Sequence, residues 1–125
     1  MNLIELQDAI KRFERERAWD KFPESLIYIH LIEEITEIGR FILEKEGYKV
    51  SKLGHAPVKI EELESEFAQA FTLFIQLANR FNINLQKSLE KELEKMEERF
   101  PKEEWRRYLN YRTMSSTGGD GNLQV

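Results

Sequence analysis

The chain has 125 residues, of which 41% are apolar and 34% charged, with a net charge of −4 and a pI of 5.3. That is the length of one domain with apolar content for a single core, and the interleaved acids and bases read as charged helical surface. The acidic balance excludes a general nucleic-acid binder, the lack of cysteine excludes disulfides, thiolate zinc sites and a Cys nucleophile, and no apolar run approaches the roughly 20 residues of a membrane span.

Leu3, Leu6, Ile10 and Phe13 recur every three or four residues and predict an amphipathic helix over 3–17. Glu5 and Asp8 within it argue against a signal peptide. These features point to a cytoplasmic protein without a membrane or nucleic-acid polymer as partner. Ala18 to Phe22 form a short link. Pro23 suits the first turn of a second helix over 23–46, which ends at Gly47 as a C-terminal cap. Residues 47–58 read as a loop, with a short extended piece near Tyr48 to Val50. A third helix spans 59–81, and Asn82 to Asn84 make a tight turn. Asn84 is the N-cap of a fourth helix reaching Phe100, where Pro101 stops it. Residues 102–111 read as a short fifth helix containing Trp105 and Tyr108. The Ser/Thr/Gly-rich stretch 113–125 reads as a disordered tail after a single domain, 1–112. Its Gly118-Gly119-Asp120-Gly121 run lacks the Lys-Ser/Thr pair of a phosphate loop.

The second helix carries the chemistry. On a wheel, Ile27, Tyr28, Leu31, Ile32, Ile35, Ile38, Gly39, Ile42 and Leu43 fall on one broad arc, which is expected to pack into the core. Glu33, Glu34 and Glu37 fall on the opposite side with His30 between them, and Leu26 and Phe41 share that face. Like charges at these spacings repel by roughly 0.2–0.5 kcal/mol per exposed pair, and Arg40 is the one base of this helix placed to relieve them. Clustered carboxylates beside apolar residues favour a hard cation such as Mg²⁺. The competing reading is a solvated acidic stripe. The fourth helix also repeats acids, Glu90 and Glu94, but intersperses Lys87, Lys91, Lys95 and Arg99.

Read together, helices two to four resemble the MazG-like branch of the all-α nucleoside triphosphate pyrophosphohydrolases. Glu33-Glu34-Ile35-Thr36-Glu37 fits that family's Glu-Glu-x-x-Glu motif. Leu77-Ala78-Asn79-Arg80 and Ile83-Asn84-Leu85 look like the stretch after its second motif, Glu-x-x-Asp. Counting back places that motif at Glu66-Phe67-Ala68-Gln69. Lys95 to Pro101 resembles the family's basic ending, and Arg17-Ala18-Trp19 is similar more weakly. The resemblance spans about 17–101.

The resemblance implies a four-helix bundle with a short extra C-terminal helix, assembled as a homodimer or homotetramer. It implies Mg²⁺, or Mn²⁺, held by Glu33, Glu34, Glu37, Glu66 and Gln69, and cleavage of a nucleoside triphosphate to monophosphate and pyrophosphate. Glu34 and Glu37 are the candidate catalytic bases. Trp19, His30, Lys95 and Arg99 are candidate substrate contacts, each with a structural alternative: core packing for Trp19, a surface histidine for His30, a solvated face for Lys95 and Arg99. Gln69 departs from the family's Asp and removes a charge, at roughly 1.5–3 kcal/mol or about ten- to a hundredfold in metal affinity. That departure keeps a second reading open, a catalytically degenerate nucleotide-binding or helical interaction module. Glu62, one turn before Glu66, is a possible substitute. Glu66 lies among Leu63, Ala70, Leu73 and Leu77, so it needs a partner: a metal shared with the first motif, or a basic side chain.

Overall fold

A computed structural model describes residues 1–48, 53–54 and 59–115. Among these the chain is all-helical: α1 Leu3–Glu16, a 3-10 turn Trp19–Lys21, α2 Glu24–Lys45, α3 Ile60–Arg80, α4 Leu85–Arg99 and α5 Lys102–Ser115. It forms two compact units, Met1–Leu85 and Gln86–Val125. The expected extended piece at Tyr48 to Val50 and the Gly-rich tail fall wholly or partly outside the described residues. α5 is longer than the sequence suggests, because the polar run after Tyr111 stays helical to Ser115.

Local signals set the helix ends. Asn2 Oδ1 accepts the Glu5 amide at 2.8 Å and caps α1. Gly47 adopts φ 84° after α2, with the Tyr48 amide donating to Leu43 O at 2.9 Å and the Gly47 amide to Glu44 O at 3.1 Å. Asn82 repeats the device after α3 at φ 54°, with the Ile83 amide on Ala78 O. Both are left-handed caps that satisfy the last carbonyls of a helix.

The first unit is built on the α2–α3 hairpin. Ile27 and Leu31 of α2 meet Ala70 and Leu73 of α3 in the buried cluster, with Ile38 and Leu77 packed against it. Burying a leucine of this kind stabilises by roughly 1.5–3 kcal/mol. The seam positions run 27, 31, 34, 38 on α2 and 66, 70, 73, 77 on α3, a spacing of four, three and four that keeps one stripe facing its neighbour. Glu34 and Glu66 therefore occupy seam positions.

This corrects the wheel. The nine-residue apolar arc of α2 does not bury as one face. Tyr28, Ile32, Ile35 and Ile42 are exposed, whereas Glu34 is partly buried. One neighbouring helix covers only a narrow stripe of α2, and α3 lies over the edge of the arc nearer Glu34. α3 likewise leaves Phe67, Phe71 and Phe74 exposed.

α1 is fastened to α3 by a buried polar clamp. Gln7 Nε2 donates to Asn79 Oδ1 at 3.0 Å and to Ile83 O at 2.8 Å, while Gln7 Oε1 accepts the Leu85 amide at 3.0 Å. Asn79 Nδ2 donates back to Gln7 O at 3.1 Å. One side chain thus joins α1 to the end of α3 and the start of α4. Gln7→Leu removes three bonds and leaves buried partners unsatisfied. It is expected to destabilise the protein by about 2–3 kcal/mol in urea unfolding, whereas Arg12→Leu at an exposed position of the same helix changes little.

Candidate functional site

Two carboxyls from different helices meet in the seam. Glu34 lies between Leu31 and Ile38, and its side chain is 15% exposed. Opposite it, Glu66 Oε2 is sealed from solvent and has no hydrogen-bond partner among the described residues. Two ionised carboxylates cannot donate to one another, so a proton or a cation is required. Glu66 is accordingly pushed above the usual carboxylate range. The main cause is its hydrogen-bonding approach to Glu34, which favours the protonated donor; burial and the charges of Glu34 and Glu62 add to it, and Arg40 opposes it.

The other acids of the first motif stand at the margins. Glu37 is half-exposed, 3.7 Å from Arg40 Nη1. Glu33 is exposed and lines a groove on the same unit. His30 Nε2 approaches Glu34 Oε1 at 3.6 Å, too long for a hydrogen bond, and is itself 57% exposed. Gln69 is exposed and turned to its own helix, with Nε2 donating to Ser65 Oγ at 3.0 Å. The structure thus brings Glu34 and Glu66 together, sets Glu33, Glu37 and His30 around them on α2, and leaves Gln69 engaged elsewhere. Among the described residues no three acidic or histidine side chains converge as a ready metal cage. Lys95 and Arg99 lie exposed on α4 in the second unit, Arg99 over the Phe100 ring at 5.1 Å.

The groove beside Glu33 holds about 380 Å³, within the size range of small-molecule sites. Its walls are Trp19, Phe22 and Leu26, with Ile27 and Leu73 at the core end. Trp19 is therefore a groove residue and is not core; at 41% exposure it stacks edge-on against Phe13, with centroids 5.5 Å apart. His30, Glu14 and Gln76 supply polar groups.

Arg80 fixes the aromatic wall. Its guanidinium donates to the carbonyl oxygens of Trp19, at 2.9 Å, and Phe22, and pairs with buried Glu14 at 3.6 Å. Burial pushes the Glu14 carboxyl up while Arg80 pulls it down. The clamp also holds Ala18 in the left-handed region at φ 59°, a conformation that costs a non-glycine residue about 1 kcal/mol or more. Sequence reasoning gave Glu14, Gln76 and Arg80 no role in a site. The available signal was register: Glu14 follows the buried Gln7 by two helical turns, and Gln76 interrupts the apolar run Phe74 to Ala78.

No protein-family model, curated protein or solved structure matches the chain.

The orphaned Glu66 carboxyl makes a stability prediction. Its pKa is higher folded than unfolded, so the folded state binds the extra proton between the two values. Wild-type stability then falls as pH rises through the raised value. In metal-free buffer Glu66→Gln is expected to be more stable than wild type at about pH 7, with the gain lost below about pH 4. Urea unfolding of both proteins at the two pH values checks this.

Proposed function

We propose that the chain is a Mg²⁺-dependent nucleoside triphosphate pyrophosphohydrolase of the MazG-like type, an all-α four-helix bundle with a short fifth helix. The observation that carries this reading is the Glu34–Glu66 pair. A buried carboxylate oxygen with no donor, facing a second carboxylate across a helix seam, is a hard-oxygen donor set of the kind Mg²⁺ takes. The pair also joins the two motifs whose spacing resembles the family's. Mn²⁺ suits the same donors.

Glu34 and Glu66 would hold the ion, and Glu33 and Glu37 are the further candidate ligands on the same helix. Bound there, Mg²⁺ would neutralise triphosphate charge and lower the pKa of a water. Glu37 is the better-placed base of the two candidates, since it is half-exposed while Glu34 is committed to Glu66. It takes the proton of a water that attacks the α-phosphorus. The bond from that phosphorus to the bridging oxygen breaks, and pyrophosphate leaves with the electron pair. The groove at Trp19 and His30 receives the nucleoside end, next to Glu33. The exposed apolar side chains of α2 and α3, among them Ile32, Ile35, Phe67 and Phe71, support assembly as a homodimer or homotetramer.

A second reading, a degenerate nucleotide-binding or interaction module, is favoured by Gln69, whose amide is exposed and spent on Ser65. Pyrophosphate release over canonical and modified triphosphates, with Mg²⁺ or Mn²⁺, decides between them. The enzyme reading expects turnover, reduced about a hundredfold or more by Glu37→Gln. If wild type is silent and Gln69→Asp restores turnover, the degenerate reading holds. Silence in both sinks the catalytic assignment.

A further inference from the structure

Gln76 is the buried polar group of the groove that makes no hydrogen bond among the described residues, since buried Glu14 is tied to Arg80 and Glu33 and His30 are exposed. It is 7% exposed, so more than nine-tenths of it is buried, yet it lines the groove. A primary amide can donate two hydrogen bonds and accept two. Gln76 makes none among the described residues. Its amide atoms are not sealed off either, since the one fully sealed, unpartnered side-chain oxygen among these residues belongs to Glu66. The amide therefore keeps contact with solvent, and the groove is the cavity that Gln76 lines. A ligand with matching groups would take the place of water at this amide.

The neighbours narrow the chemistry. Trp19 and Phe22 offer aromatic surface, held in place by Arg80. Leu26, Ile27 and Leu73 make the rest of the wall apolar. Glu14 shares the groove but is tied to Arg80. An apolar cleft with aromatic walls and one free amide fits a planar nitrogen heterocycle that sets a hydrogen-bond donor beside an acceptor.

We infer that Gln76 is the specificity-determining residue of this groove and reads the edge of a nucleobase. The inference rests on the nucleotide reading above for the class of ligand, but it needs neither the acidic cluster nor turnover. The amide flips to match either order of donor and acceptor, so wild type accepts bases with such a pair. A carboxylate in its place accepts only, and favours an edge with two adjacent donors. Among the common bases that is guanine, through N1–H and its 2-amino group.

The test is a titration of the full-length protein with the four common nucleosides in EDTA, followed by NMR. Nucleosides lack phosphate and EDTA removes metal, so the acids do not contribute. Wild type is expected to bind at least one nucleoside. Gln76→Leu should weaken that binding about tenfold or more, and Gln76→Glu should shift the preference towards guanosine. The shift is a gain that a misfolded variant cannot mimic. Unchanged affinities in Gln76→Leu, no shift in Gln76→Glu, or no wild-type binding at millimolar nucleoside would each overturn the inference. Triphosphate turnover without nucleoside binding would overturn it while leaving the proposed function standing. Gln76-dependent nucleoside binding without pyrophosphate release would do the reverse.

Discussion

The α2–α3 seam is the constraint on which the first unit depends. It supplies the buried cluster of Ile27, Leu31, Ala70 and Leu73, and it fixes which residues of the two helices face one another. The same register that packs these side chains drives Glu34 and Glu66 together. An apolar pair at those two positions would extend the cluster. Two carboxyls there instead leave Glu66 Oε2 without a donor, and the helices still pack because the apolar positions on both sides hold them. Stability is given up at one layer of an otherwise ordinary seam. Such local exceptions to good packing are where function is sought first.

The second organising contact is Arg80. It reaches from the end of α3 to the carbonyls of Trp19 and Phe22 and to buried Glu14. One guanidinium thereby ties α1, the 3-10 turn and the link into α2 to α3. A planar group with five donors is suited to this, where an ammonium could not span the same acceptors. The consequence is a groove whose aromatic wall is rigidly placed beside Glu33. The seam and the clamp are independent structures, but they set a carboxylate pair and a ring-sized cleft on the same short stretch of α2. That adjacency is what a nucleotide-cleaving reading requires: one end of a ligand near the acids, the other between aromatics.

The helices were legible in the sequence because their stop signals are local. Gly47 and Asn82 cap by backbone conformation, and Asn2 caps by a side chain three residues from its partner. The faces were less legible. A wheel gives the angle of each side chain but not which part of a wide apolar arc a neighbour covers. Ile32, Ile35 and Tyr28 therefore looked buried and are exposed, and Glu34, placed by the wheel opposite the core, sits in the seam. The position of Glu66 among apolar residues of α3 was readable, and it did foretell an acid short of a partner. Glu14 and Arg80 were not assigned, because their roles depend on contacts made across more than sixty residues of sequence, and Gln76 because its place in the groove depends on residues of other elements. Gln69, expected as a neutral ligand in place of an Asp, is exposed with its Nε2 donating to Ser65 on its own helix.

The central claim is that the Glu34–Glu66 pair holds a divalent cation. Titrating Mn²⁺ into the full-length protein and its Glu66→Gln variant, and reading free Mn²⁺ by electron paramagnetic resonance, tests it most directly. The account predicts saturable binding to wild type, displaced by Mg²⁺, and weakened about tenfold or more in the variant. Equal affinity in the two proteins, or free Mn²⁺ unaffected by either, would contradict it.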